Sequence, residues 1–265
     1  MKKDALANLR NSWGKAVFIL LFTCGVHLSF LLLEQFLRTF LHIDFLSGGG
    51  KLDLYRGTLE VGTPFVVMTA FFTLVGFVIT VPLHYGVMKW YFRQVSGDSP
   101  TFSTIFDCYR SIRCFLGSLV LKLVIAVRIL GAGMLVFLPS AAIFMSIRYM
   151  SGYDSSGAVL ARLLLVPLFC LITLTAALFL FAFSMRYFLA EYLFVSTQKG
   201  VSECLKLSIR GMKGNISIAL SFSLSFFPWL LLTPLLIPCL FIYPYMQVAF
   251  ATYAKWLITK LKQIS

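Results

Sequence analysis

The sequence predicts an all-α, polytopic integral membrane protein: a six-helix transmembrane bundle with two amphipathic cytoplasmic helices and both termini cytoplasmic. Three observations carry the prediction. Apolar residues make up 59% of the chain and charged residues 12%, with a mean hydropathy of +0.89, which leaves a soluble fold too little polar surface to cover its apolar side chains. Six stretches without formal charge are long enough, or nearly so, to cross a hydrocarbon layer about 30 Å thick at about 1.5 Å per residue. Lysine and arginine fall unevenly between these stretches, and that bias sets the orientation. The chain reads as a single membrane domain over residues 1–265.

The first stretch, 16–33, follows Lys2, Lys3, Arg10 and Lys15. It is too long for a signal-peptide core and lacks a small-residue cleavage site, so it reads as an uncleaved span. A helical extension and a turn at Gly48, Gly49 and Gly50 lead to the second, 61–81. The third covers 129–147 and the fourth 163–183. The fifth, 216–232, is the shortest, and Pro228, Pro234 and Pro238 punctuate the passage to the sixth, 235–254. One long kinked helix is the alternative there. A hairpin near Thr233 and Pro234 is preferred, because a single span would place Lys255, Lys260 and Lys262 outside. With the hairpin, sixteen of the 23 basic residues fall on the inner side. Five, Arg38, Lys51, Arg56, Arg148 and Arg162, fall on the outer side, and Lys122 and Arg128 complete the set.

A net charge of +13 would point to nucleic acid in a soluble protein. Here the basic residues lie between apolar runs, so anionic lipid headgroups are the expected counter-charge and nucleic acid is not an expected partner. The six cysteines show no CxxC spacing and no nearby His pair, so free thiols are expected and neither a metal nor a cofactor is signalled. No HExxH, GxSxG or P-loop sequence occurs, and the ten acidic residues cluster nowhere with His or Ser. A non-enzymatic protein is the expectation.

Between the spans, two segments carry apolar residues at helical spacing. In 101–114, Phe102, Ile105, Phe106, Tyr109 and Ile112 oppose Ser103, Asp107 and Arg110, with Arg113 close by. In 201–213, Val201, Cys204, Leu205, Ser208, Ile209 and Met212 oppose Glu203, Lys206 and Arg210. Each is expected along the cytoplasmic headgroup region with Phe102, Phe106, Leu205 and Met212 inward. A cap folded under the bundle is the alternative. The two regions resemble each other at one offset: Met88-Lys89-Trp90-Tyr91 with Met185-Arg186-Tyr187-Phe188, and Ser111-Ile112-Arg113 with Ser208-Ile209-Arg210. A two-helix internal repeat is one reading of this. Small residues at helical spacing, Ser217, Ser221 and Ser225 in the fifth stretch and Thr69, Thr73, Gly76 and Thr80 in the second, read as close helix packing.

Leu9, Trp13 and Ala16 precede or open the first stretch, and Pro82 and Gly86 leave the second. A Gly97-Asp98 turn leads to Phe102-Ser103 and Phe106. The C-terminal half carries Arg186-Tyr187, Ser208 with Met212 and Gly214, Leu224-Ser225-Phe226 with Trp229, and Pro244-Tyr245 before Tyr253. On these residues, over nearly its full length, the chain resembles an uncharacterised family of bacterial six-span membrane proteins, catalogued as domain of unknown function 975. The resemblance implies this fold and the bacterial cytoplasmic membrane, but no activity. The chain departs from the family after Tyr192, where Phe194-Val195-Ser196 replaces an Asp-Asn-Pro-like turn.

Six residues form the candidate intramembrane polar site: Arg128, Tyr243, Pro244, Tyr245, Gln247 and His27. Arg128 is at the bilayer midplane if its helix begins near Phe115, and snorkels from the inner end if the span begins at 129. Pro244 frees the carbonyl of Leu240, which serves either a site or an ordinary kink. His27 either titrates or bridges helices. Two functional readings follow. In the first, the protein is non-enzymatic, engages membrane lipid or a partner membrane protein, and takes part in envelope homeostasis. In the second, it is a small transporter or lipid-translocating protein using Arg128 and the kinked sixth span.

Overall fold

Residues 2–9, 12–43, 52–53, 58–59, 63–152, 156–197, 199–230 and 236–264 are described by the computed structural model. The glycine run 48–50, Lys51, Arg56 and the turn at Thr233 and Pro234 lie outside them. The described chain is helical apart from two-residue strands, Leu52–Asp53 and Thr58–Leu59, paired antiparallel with Leu52 opposite Leu59. Among the described residues, four helical runs are long and apolar enough to cross a membrane: Trp13–Phe40, Thr63–Ser96, Ile112–Met150 and Val159–Thr197. Ile216–Trp229 is a shorter apolar run.

The chain divides into two compact units, Met1–Leu119 with Trp229–Trp256, and Val120–Pro228 with Leu257–Ser265. The first unit opens with α1 (Lys2–Leu9) and α2 (Trp13–Phe40), the latter extending beyond the first apolar stretch as expected. α3 (Thr63–Ser96) begins with Pro64 in its first turn, where a missing N–H costs nothing. It then continues through Lys89 and Arg93, well past the end of the apolar stretch, so much of the expected second loop is helix. Gly97 stops it. Its φ of +96° lets Asp98 N–H reach back to Arg93 O at 3.2 Å, the reversal that β-carbon sterics deny other residues. Lys255 Nζ, on α11 (Leu236–Ile264), donates to Val95 O at 3.0 Å and satisfies another open carbonyl of the last turn.

The core of the first unit lies at this end of α3. Tyr85, Trp90 and Tyr91 are fully buried, whereas Val66, Val67, Phe71 and Leu74 earlier in the helix are exposed. The segment expected as one amphipathic helix is a 3-10 turn, Phe102–Phe106, a single α-turn α4 (Asp107–Arg110), and a break at Ser111 before α5 (Ile112–Met150). It packs on protein. Phe102 is 5.2 Å from the Phe18 ring and 5.3 Å from Phe22, and Phe106 is 5.8 Å from Phe22. Gly86 makes room for it, since a β-carbon there would lie 1.8 Å from Ile105 O. Lys89 Nζ bonds Asp107 Oδ2 at 2.7 Å. Pro82 has no N–H to offer Val78, and the Tyr109 hydroxyl donates to the neighbouring carbonyl of Ile79. At the far end of α2, Arg38 pairs with Glu34, donates to Thr69 Oγ1 at 2.7 Å and covers the Phe65 ring at 4.2 Å. Gly76 has open space about it, so no neighbour uses the room it leaves.

The second unit is assembled on the same plan. α6 (Ser156–Ser184) passes through the 3-10 turn Met185–Tyr187 into α7 (Phe188–Thr197), and α8 (Val201–Met212) folds back on that end. Cys204, Leu205, Ser208 and Met212 are buried with Leu189, Ala190 and Tyr192. Ser208 Oγ donates to Arg186 O at 2.7 Å. Of the offset-related residues, Trp90 and Tyr187 are both buried, whereas Ser208 is buried and Ser111 exposed. α5 and α6 run antiparallel: a β-carbon on Gly133 would meet Leu180 at 3.4 Å, the tilted rings of Phe144 and Phe169 have centroids 6.0 Å apart, and Arg128 lies over Tyr187 at 5.8 Å. Lys122 Nζ reaches Glu191 Oε1 at 2.7 Å. The fifth apolar stretch is interrupted, with α9 (Ile216–Leu224) ending in a turn at Ser225 and Phe226 before α10 (Phe227–Leu230).

Gly86 and Gly211 separate two kinds of close contact. At Gly86 the obstacle is backbone, whereas at Gly211 it is the ends of Leu261 and Leu189 at 2.6 and 3.1 Å. Gly86→Ala is therefore expected to lower stability by about 3 kcal/mol, the upper range of overpacking. Gly211→Ala should cost under about 1 kcal/mol, because leucine tips can yield and alanine favours the helix. Thermal unfolding of both variants in one detergent measures the difference.

Candidate functional site

The polar ends of the long helices, where buried aromatic side chains meet exposed basic ones, hold most of the residues selected from the sequence. Leu205 and Met212 are buried, and Phe102 and Phe106 meet Phe18 and Phe22 with Phe102 still 37% exposed. Arg110, Arg113, Lys206 and Arg210 stand exposed on the other sides of those segments. Arg110 is 3.9 Å from Asp107 Oδ1. Arg113, Lys206 and Arg210 have no carboxylate partner among the described residues. The 201–213 segment thus buries Cys204, Leu205 and Met212 and offers Lys206 and Arg210 outward, whereas in 101–114 Ile105 and Cys108 are buried and Ile112 is 75% exposed.

Arg128 is exposed, with its guanidinium over Tyr187. Arg186, next in the chain, lies 5.3 Å over Phe183. Arg148 is exposed near the other end of α5, and Arg162 stands in the first part of α6. Arg128 and Arg148 are roughly 30 Å apart along the helix at 1.5 Å per residue, the thickness of a hydrocarbon layer. Between them Met134, Leu135, Leu138 and Met145 face outward.

The remaining candidates belong to α2 and α11. Tyr243 and Gln247 hydrogen-bond to each other, and Tyr243 lies beside Cys24 and Cys239. Pro244 is buried, while Tyr245 is partly covered. His27 is exposed and shares a 2.8 Å hydrogen bond with Thr23 O within its own helix, so it bridges no second helix there. The structure adds a residue that sequence reasoning missed. Tyr91 is 1% exposed, it lies beside Tyr243, and its hydroxyl has no hydrogen-bond partner among the described residues. Its place in the Met88-Lys89-Trp90-Tyr91 motif was the available signal. The Lys122–Glu191 pair was also missed, although an acid within the apolar run after α6 marked it. Among the described residues no group of three or more His, Cys, Asp or Glu side chains gathers to hold a metal.

The family described as a protein of unknown function, DUF975, matches residues 1–261. The chain belongs to the DUF975 family. No curated protein and no solved structure matches it. In this DUF975 protein several of the residues that carried the resemblance are core residues, while Asp98, Phe102, Arg186 and Trp229 are exposed. Leu9, Ala16, Ser208, Met212, Phe226 and Tyr253 are all at most 1% exposed, and Gly86 is the seat of Ile105.

All six cysteines are free. A hydrogen bond with Cys114, followed by burial, pushes the Cys108 thiol above the ordinary value of 9.0, and burial beside Glu203 pushes Cys204 the same way. The thiolate is the reactive form, so a raised thiol has less of it at any given pH. In a variant retaining only Cys204, alkylation at pH 8 should be slow in the folded protein and rise as pH climbs above 9.0. Unfolding should restore ordinary thiol reactivity. Stopped alkylation with mass readout at each pH measures this.

Proposed function

We propose that this DUF975 protein is a non-enzymatic, multi-pass protein of the bacterial cytoplasmic membrane that engages anionic lipid. The reading includes six spans with both termini cytoplasmic, a partner membrane protein as a further ligand class, and a role in envelope homeostasis. The observation that carries it is the division of labour in the docked segments. Leu205 and Met212 are buried and Phe102 and Phe106 meet Phe22, while Arg113, Lys206 and Arg210 stand exposed with no carboxylate partner among the described residues. Near an anionic leaflet each such cation is worth about 1 kcal/mol. The charge bias supports placing these cations on the inner face. Arg128 fits the same reading as a marker of the inner headgroup level, with its guanidinium over Tyr187, and is set one bilayer thickness from Arg148.

The test replaces Arg110, Arg113, Lys206 and Arg210 together by Gln and extracts the protein with its surrounding lipid in polymer-bounded discs. The native chain should be enriched in phosphatidylglycerol over the bulk membrane, and the fourfold variant should lose most of that enrichment. Equal enrichment in both would overturn the proposal.

A second reading, transport through the bundle, is favoured by one observation: the unpartnered Tyr91 hydroxyl beside the Tyr243–Gln247 pair. Buried hydroxyls are ordinarily satisfied, and water or a substrate group would satisfy this one. Hydroxyl-radical footprinting decides it. A hydrated path oxidises Tyr91 and Tyr243 at a rate comparable with exposed Tyr149, whereas a filled core leaves both unmodified and removes the transport reading.

A further inference from the structure

A cavity of about 420 Å³ opens in the first unit, where the start of α2 meets the end of α3 and the 3-10 turn. Its floor is Trp90 and Ile19, each 1% exposed. Its walls are Phe18 and Phe102, whose rings are 5.2 Å apart. Gly14 and Lys15 stand at its mouth. The volume falls in the range of small-ligand pockets and would hold part of an acyl chain.

We propose that this cavity is a binding site for one anionic phospholipid, whose phosphate meets the Lys15 ammonium and whose acyl chain lies between Phe18 and Phe102 over Trp90. The inference rests on the lipid-engaging reading and names a specific site for it. Charge complementarity selects the head. Lys15 is exposed and pairs with no carboxylate among the described residues, while the cavity beneath it is apolar. Direction selects the class of ligand. Lys15 immediately precedes the uncharged stretch that begins at Ala16, and Phe18 and Ile19 follow about 5 Å further along the helix. The polar-to-apolar gradient of the cavity therefore runs along α2 toward the hydrocarbon, as it does in a leaflet lipid. A soluble anion would use the ammonium but not the aromatic walls, and an apolar peptide would use the walls but not the ammonium.

Gly14 keeps the mouth open. A β-carbon added there meets nothing within 4 Å, so no packing contact requires glycine, and in a helix it costs stability relative to alanine. A larger side chain at this position obstructs the entrance without disturbing a neighbour.

The test uses the full chain in nanodiscs with Trp13, Trp229 and Trp256 replaced by Phe, leaving Trp90 as the reporter. Phosphatidylglycerol and phosphatidylcholine carrying the same brominated acyl chain are the probes. Trp90 should be quenched by both, with a preference of about fivefold for phosphatidylglycerol, the effect of one lysine beside an anionic headgroup. Lys15→Gln should abolish the preference but keep the quenching, and Gly14→Leu should abolish the quenching. Quenching that survives Gly14→Leu, or a preference that survives Lys15→Gln, overturns the site. Native mass spectrometry with all tryptophans present gives an independent readout: after mild delipidation one phosphatidylglycerol remains on the native chain and is lost from Gly14→Leu. Retention by both, or by neither, also overturns it. The outcome is separable from the broader reading, because annular enrichment depends on Arg110, Arg113, Lys206 and Arg210 and not on Gly14. Enrichment without quenching removes the cavity site alone, and quenching without enrichment removes the broader reading alone.

Discussion

A layer without water gives a backbone amide no partner except its own helix, and lipid tails give an apolar side chain no reason to prefer a neighbouring helix to the bilayer. Both consequences are visible here. The long helices accommodate internal prolines without ending, and at the end of α3 other groups meet the open carbonyls of the last turn, Asp98 N–H at Arg93 and Lys255 at Val95. The buried aromatic residues at the end of α3 lie beyond its apolar stretch, where a hydrophobic drive exists. Trp90 and Tyr85 are enclosed there, while Leu31, Leu32 and Phe36 in α2 face outward.

Composition made the apolar helices legible, because continuous uncharged runs require no knowledge of partners. Helix ends were harder. Lys89 and Arg93 read as loop by charge, yet nothing before Gly97 breaks the backbone, and long basic side chains can leave a helix for a polar surface without unwinding it. Periodicity likewise showed that 101–114 and 201–213 have one apolar face but not what covers it. Phe102 meets Phe18 and Phe22 from a distant part of the chain, and residue spacing carries no record of such a pairing. The fifth stretch reads as one span over 216–232, but its helix breaks at Ser225 and Phe226, and Pro228 lies in the next helical turn.

The candidate site was legible in proportion to its charge. Arg113, Lys206 and Arg210 were found because a cation opposite an apolar face is visible in sequence. Tyr91 was not, because a tyrosine among aromatic neighbours looks the same whether its hydroxyl is satisfied or bare. The motif that ties the chain to its family is silent on activity for a related reason: Ser208, for example, uses its only proton to hold Arg186 O and has none to offer a ligand.

The approach of Ile105 to Gly86 has a consequence for the evolution of the family. A position where any β-carbon collides with a carbonyl admits one residue, whatever the protein is selected to do. Invariance there across relatives would record the geometry of a seat and carry no information about a ligand. Drift is free instead at Arg113, Lys206 and Arg210, where side chains stand clear of their neighbours. A cation retained at those positions despite that freedom would be the mark of selection for function.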